Sequence, residues 1–267
     1  MDRRILWVPS VAVAGALALG GCAENGEPTI SLPSVGVTPT AATTTVPPSA
    51  ADTALAASTQ ALGTTSFKTT MTIGDAVSVT GQIDPVKESG DTTMRLTGAN
   101  GGDITLRTLL IGKDAWAKVT GLGEALPAGW MHLDAQKASG TGNFSIAPGQ
   151  TDPAKASQFI AASADVQQTG TNTFTGTVDL AKVAGVTGLG NVTIGDGAAQ
   201  KVPFTATTDA QGRLSNLTVD IQKVSPEAAG PLKIDYTDYG TPVTVTPPNP
   251  AEVTEAPSEL YNPFGTN

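Results

Sequence analysis

The sequence has few of the residues that catalytic and metal-binding chemistry requires. It contains one cysteine and one histidine, and aromatic residues make up 4% of its 267 residues. A single cysteine cannot form an internal disulfide, and no second histidine or cysteine is present to complete a triad or a zinc site. No glycine-rich phosphate loop followed by Lys-Ser or Lys-Thr occurs. The sequence therefore predicts no catalytic residue, no metal site, no cofactor and no enzyme activity.

Positive charge is also scarce. Lysine and arginine number 15 against 24 acidic residues, which gives a formal net charge of -9. Binding to nucleic acid needs clustered basic side chains that neutralise phosphates, so the charge argues against a nucleic-acid partner. The acidic residues stand singly at turns rather than in pairs suited to acid–base catalysis. These turn residues are Asp84, Asp91, Asp103, Asp114 and Asp209.

The only histidine, His132, stands two residues after Trp130 in a strand-like segment. A lone histidine in such a segment is expected to be structural or exposed. An enzyme is one functional hypothesis, and it would need a cleft of convergent polar groups around His132 or around an acidic pair.

The apolar run near the N-terminus is shorter than a membrane-spanning helix, which needs about 20 apolar residues. Residues 5–19 are uncharged and follow two arginines, which is typical of the core of a signal peptide. The run ends in LGGC at residues 19–22, the pattern of a bacterial lipobox. The sequence thus predicts a signal peptide over residues 1–21 and a lipid-anchored Cys22 on the outer face of the cell membrane. An ordinary secretory signal that ends near a cysteine is the alternative.

Composition divides the mature chain into three parts. Residues 22–50 are rich in proline, threonine, serine and alanine, which predicts a lipidated, extended linker. Residues 51–247 carry the alternating and helical patterns of one folded domain. Residues 248–267 return to the linker composition and are predicted to be a flexible tail.

Within the domain, short alternating segments predict strands, and two alanine-rich segments predict helices. Positions 67, 69, 71 and 73 share one strand face, and similar segments recur with turns between them. Helices are expected over residues 51–62 and 152–162, the second with Asp152 as N-cap. A short helix over 180–186 and an edge strand over 243–246 are also expected. This order predicts an α+β fold: a curved antiparallel sheet with helices over one face.

Several of these features together resemble the actinobacterial LppX/LprG-type lipoproteins. They are the lipobox cysteine, the Pro/Thr linker, the alanine-rich helix, the segment Trp130 to Asp134, the helix begun by Asp-Pro, and the closing segment Tyr239 to Val245. The resemblance covers about residues 51–247. It implies a strongly curved, half-open antiparallel β-sheet, a half-barrel, with helices over its concave face. It also implies a carrier of lipid or acylated glycolipid between the plasma membrane and the outer envelope.

A lipid cavity needs apolar walls with few polar groups, because unpaired buried polarity is costly. The same residues would equally line a closed core. In that second hypothesis the protein is an envelope interaction or regulatory lipoprotein without a lipid ligand, for example one with a transporter partner. The residues predicted to line the cavity are Leu55, Leu62, Met71, Ile73, Val79, Met94, Leu96, Ile104, Leu106, Phe159, Ile160 and Val219.

Overall fold

A computed structural model describes five stretches of the chain, which form a single β-sheet with short helices. The described stretches are residues 48–98, 102–123, 127–134, 152–183 and 201–257. The predicted signal peptide, the anchor Cys22 and nearly all of the predicted linker lie outside them.

The described residues form one sheet of twelve strands. The strands in chain order are β1 Phe67–Ile73, β2 Val77–Asp84, β3 Ser89–Thr97, β4 Asp103–Ile111, β5 Asp114–Thr120, β6 Trp130–Asp134, β7 Ser163–Gly170, β8 Thr173–Asp179, β9 Lys201–Thr208, β10 Leu214–Val219, β11 Leu232–Thr237 and β12 Val253–Glu255.

The sheet consists of two antiparallel meanders that meet at its centre. Strands β1 to β6 pair in sequence, as do β7 to β11, and β1 pairs with β11 to join the two. The full order is β12-β6-β5-β4-β3-β2-β1-β11-β10-β9-β8-β7, with β12 and β7 as the two edges, so the sheet is not closed. The α+β composition and the large antiparallel meander agree with the sequence prediction.

Strand β12 departs from the prediction in two ways. It lies in the segment predicted as a tail, and it pairs with β6 in parallel, so the sheet is mixed rather than wholly antiparallel. Residues predicted as the last edge strand, 243–246, are not a strand. The proline-containing stretch before β12 (TPPNP, 246–250) favours extended backbone without ladder hydrogen bonds. Residues 238–252 connect the central β11 to the edge of the sheet, where β12 pairs with β6.

Helix α1, Ala50–Ser58, begins at a capping box. The Ser49 hydroxyl accepts from the Asp52 backbone N–H at 3.1 Å, and the Asp52 carboxylate accepts from the Ser49 backbone N–H at 2.9 Å. These two bonds satisfy donors that the first helical turn otherwise leaves free. A 3₁₀ turn, Gln60–Gly63, follows and buries Leu62. The predicted helix over 51–62 is therefore confirmed in two parts.

Helix α2, Ala156–Ala161, is shorter than predicted, and Asp152 is not its N-cap residue. Lys155 occupies that position with φ 58°, in the left-handed region, so residues 152–155 form a turn before the helix. Asp152 still stabilises the first turn of α2, because its carboxylate accepts a hydrogen bond from the Ser157 backbone N–H at 2.7 Å. Of the predicted helix over 180–186, a 3₁₀ turn covers Leu180–Lys182, and the part after residue 183 lies outside the described residues.

Candidate functional site

Pairing register places the apolar residues of neighbouring strands opposite one another on a single face of the sheet. Residues directly opposite in an antiparallel pair lie on the same face, so each register position defines a row that runs across the strands. Two such apolar rows cross the first meander. One contains Met71, Val79, Met94, Leu106 and Val119, and the other contains Ile73, Val77, Leu96 and Ile104. We call this side of the sheet the apolar face.

Two separate hydrophobic clusters cover parts of the apolar face. The main cluster joins the two α-helices to β1, β2 and the second meander, from β7 to β11. The second, smaller cluster lies on β4, β5 and β6. It consists of Leu110, Ala115, Ala117, Met131 and Leu133. The helices therefore pack on the apolar face, where α1 contacts β7 and α2 contacts β8.

Apolar side chains on β3, β4 and β5 lie between these two clusters and are only half-buried. Met94 and Leu96 contact the edge of the main cluster, and Leu106 and Val119 contact the edge of the second. Ile104 is also half-buried and belongs to neither cluster. We call these five residues the half-buried band. Within the described strands of the first meander, it is the group of apolar side chains that packing leaves incompletely covered.

A row of small and hydroxyl-bearing residues lies next to the half-buried band on the same face. It runs across five strands through Thr69, Gly81, Thr92, Thr108 and Ala117. A Cβ added at Gly81 would lie 2.6 Å from the Thr92 methyl carbon, so the threonine packs where a larger residue at position 81 would clash. We call this line the threonine row.

Two hydroxyls of the threonine row are buried without a partner. Thr69 and Thr108 are 3% and 1% exposed, and neither Oγ1 atom has a hydrogen-bond partner within the described part of the chain. Buried polar atoms are nearly always paired, so each exception needs a physical account. Alternation alone places Thr69 on this face, but only the strand register aligns it with Thr108.

A buried hydrogen-bond network fixes α2 to the sheet. The Tyr236 hydroxyl of β11 donates to Asp152 Oδ1 at 2.7 Å. The second oxygen of Asp152 accepts from both the backbone N–H and the hydroxyl of Ser157, each at 2.7 Å. Burial, followed by the nearby Asp152 carboxylate, raises the pKa of Tyr236 well above its usual value, so the phenol stays a donor. The Tyr236 ring packs edge-on against Phe67 at 5.4 Å.

His132 lies on the opposite face of the sheet, between two carboxylates. Its Nε2 atom is 2.9 Å from Asp114 Oδ1, and its Nδ1 atom is 3.1 Å from Glu255 Oε1. The hydrogen bond to Asp114 raises the pKa of His132 most, against the opposing effect of burial, and Glu255 raises it further. Because the three residues belong to β5, β6 and β12, the imidazole bridges the edge strand to its neighbours. Both ring nitrogens thus contact carboxylates of neighbouring strands, which gives the lone histidine a structural role.

The residues predicted to line a cavity divide into two groups on the apolar face. The first group is buried in the main cluster: Leu55, Leu62, Met71, Ile73, Val79, Phe159, Ile160 and Val219. The second group belongs to the half-buried band: Met94, Leu96, Ile104 and Leu106. The sequence thus selected residues of one sheet face and of the helices that pack on it, and their role in binding stays a prediction. It missed Val119 and the threonine row.

The described residues contain neither a metal-binding cluster nor a membrane-spanning helix. No group of three or more His, Cys, Asp or Glu side chains among them could hold a metal ion. No helix within these same stretches is long and apolar enough to cross a bilayer.

The chain is similar to a solved structure. It matches the crystal structure of LprF from Mycobacterium bovis with a TM-score of 0.49 and 17% sequence identity, over 75% of this chain and 96% of that chain. No family model matches the sequence, and no curated protein matches it. What this chain binds has to be inferred from its own side chains.

Proposed function

We propose that the protein is a membrane-anchored envelope lipoprotein that binds a lipid or acylated glycolipid on the apolar face of its sheet and carries it through the envelope. The half-buried band carries this proposal. It forms a continuous apolar surface between two closed clusters, and it lies on the same face as the helices. In this proposal the sheet is curved and half-open, the helices cover its concave face, and the alkyl chains extend over the band.

The chemistry of the half-buried band suits an alkyl chain. Its five residues are aliphatic or methionine, and each CH₂ group of a ligand that leaves water there contributes about 0.8 kcal/mol. Met94 adds a flexible, polarisable side chain that adapts to chains of different shape. No charged residue interrupts the two rows that form the band, because the strand cations alternate onto the opposite face.

The predicted anchor places this surface near its ligand. Acylation of Cys22 would hold the protein on the outer face of the cell membrane, and residues 23–47 would act as a tether long enough to let the domain turn toward the bilayer. A transporter that delivers or receives the lipid is the partner this arrangement favours. The proposal assigns the protein no catalytic step.

The competing hypothesis, an interaction lipoprotein with a closed core, predicts an exposed apolar patch on the outside. The large apolar residues that are exposed in the described chain are Val86, at 71%, and Leu122, at 43%. Val86 lies in the β2–β3 turn and Leu122 follows β5, so they are at opposite ends of the strands. They do not form one patch, whereas the half-buried band groups five apolar side chains on adjacent strands.

Lipid extraction tests the proposal. The full chain is produced with Cys22→Ser, so that covalently attached acyl groups cannot be mistaken for ligand, and its organic extract is analysed by mass spectrometry. We expect acyl lipid at near-stoichiometric amounts. Leu106→Glu should reduce the bound lipid at least about tenfold, because a charge on the band is costly to desolvate. Thr105→Glu, on the same strand and the opposite face, is the matched control and should keep the lipid.

Absence of lipid from the Cys22→Ser chain, combined with failure to take up acyl lipid from vesicles, would refute the carrier proposal. Equal lipid content in the Leu106→Glu and Thr105→Glu chains would show that the ligand lies elsewhere.

A further inference from the structure

The edge strand β12 is short and pairs on one side only. It has three residues, and its partner is β6. A 3₁₀ turn, Pro250–Glu252, leads into it, and the Ala256 backbone N–H that follows it donates to the His132 carbonyl oxygen at 2.9 Å. We call residues 250–256 the edge strap. Peripheral segments with few contacts open locally at a free energy well below that of global unfolding, so a small change at the edge strap can release it.

The imidazole of His132 connects the edge strap to the strands beside it. Its Nε2 atom is 2.9 Å from Asp114 Oδ1 on β5, and its Nδ1 atom is 3.1 Å from Glu255 Oε1 on the strap. A neutral imidazole has one N–H donor and one lone pair, whereas the imidazolium donates from both nitrogens. A neutral ring would therefore turn a lone pair toward one of the two carboxylates, and both contacts together require the charged ring.

The charges around the ring make the release of the edge strap depend on pH. The charged residues on the same face of the neighbouring strands are Arg107 on β4, Asp114 and Lys118 on β5, Asp134 on β6 and Glu255 on β12. Arg107 is itself paired with Asp91 at 2.8 Å. The hydrogen bond to Asp114 raises the pKa of His132 most, burial opposes it, and Glu255 raises it further. The ring is therefore charged below about pH 6.5 and loses its proton as the pH rises through this raised pKa.

We infer that His132 is a pH-sensitive latch, which holds the edge strap on β6 when its ring is protonated and releases the strap when the ring is neutral. Release exposes the edge of β6, where another strand can pair. It also withdraws Ala256 from the second cluster, which Leu106 and Val119 of the half-buried band contact. The latch thus controls how one end of the apolar face is covered, and it does not depend on what that face binds.

Hydrogen exchange of the edge strap tests this inference. The full chain carrying Cys22→Ser is exchanged between about pH 5.5 and pH 8.5, on either side of the ordinary histidine pKa. Exchange of the peptide that covers residues 250–257 is measured by mass spectrometry and corrected for the intrinsic effect of pH. We expect its protection to fall about fivefold as the pH rises, the effect of one partly exposed ion pair. The peptide that covers β1 should stay much more protected at every pH, which separates local opening from global unfolding.

Two variants of the edge strap distinguish the latch from a general effect of charge. Glu255→Gln should keep the strap protected at both ends of the pH range. Its amide can donate to the lone pair of a neutral ring or accept from a charged ring, while the other ring nitrogen donates to Asp114. Glu252→Gln removes the same charge from the same segment, outside the pairing with His132, and is the matched control. It should keep the pH dependence of the parent chain.

Three outcomes would overturn the latch. The first is a parent chain whose edge strap is equally protected at every pH. The second is a Glu255→Gln chain that loses protection with rising pH as the parent does. The third is a Glu252→Gln chain that loses the pH dependence as completely as Glu255→Gln, because the net charge of the segment would then explain the effect without His132.

Discussion

Replacing Tyr236 with phenylalanine tests how firmly α2 is held against the sheet. The substitution keeps the ring and its contact with Phe67 but removes the hydroxyl that donates to Asp152 at 2.7 Å. The hydroxyl is buried and its acceptor is a carboxylate, so the bond belongs to the stronger class, worth about 1.5–3 kcal/mol. Because no side-chain volume other than one oxygen is lost, a cavity adds little. We expect the free energy of unfolding to fall by about 1.5–3 kcal/mol.

Tyr239→Phe is the matched control. The Tyr239 hydroxyl also donates at 2.7 Å, but to the neutral backbone carbonyl of Leu214, and the pair is only partly buried. The expected loss there is about 0.5–1.5 kcal/mol. Urea unfolding of both variants, followed by far-ultraviolet circular dichroism with the denaturant slope fitted separately, gives the two differences. If Tyr236→Phe loses no more stability than Tyr239→Phe, the carboxylate contact is not what secures α2, and the reasoning is refuted.

Three further substitutions test local features of the fold. His132→Gln should remove a pH dependence of stability. The pKa of His132 is raised in the folded state, so the stabilisation by this residue is complete below about pH 6.5 and is lost as the pH rises through the pKa of the folded state. Melting curves from about pH 5 to pH 9 would detect this loss. Identical pH profiles for parent and variant would contradict this. Gly121→Ala should destabilise the protein by about 2–4 kcal/mol, since the added Cβ would lie 2.0 Å from the Asp103 carbonyl oxygen. Gly112→Ala, at positive φ but in open space, should lose only about 1 kcal/mol of stability in the same urea assay. Lys155→Gly should be more stable than Lys155→Ala by about 1 kcal/mol, because the position has φ 58°; equal stability would show that the turn relaxes.

Local pattern was sufficient for the elements whose cause lies within a few residues. Alternation from Phe67 to Ile73 determined which side chains of β1 are buried, because successive strand residues point to opposite faces. The turn at Gly112 and Lys113 was predictable from its composition, and the structure has a two-residue connection there between Ile111 and Asp114. The capping box at Ser49 and Asp52 is equally local, but it spans the predicted boundary between the linker and the domain.

Distant contacts decided what these patterns left open. The role of Asp152 depends on Tyr236, which is 84 residues away, and no short-range signal links the two. The parallel pairing of β12 with β6 depends on β6 having a free edge, and no local sequence pattern predicts this.

The sequence by itself determined which residues face inward, since side-chain alternation needs nothing beyond the strand. Only the tertiary structure decided which of those inward residues are fully buried and which are half-buried. Register aligned Thr69 and Thr108 in one row, and the placement of two short helices closed one part of the apolar face while leaving Met94 and Leu106 half-buried. The burial of a sheet face depends on which distant segments of the chain pack against it. Strand periodicity therefore predicts which residues share a face but not how completely that face is covered.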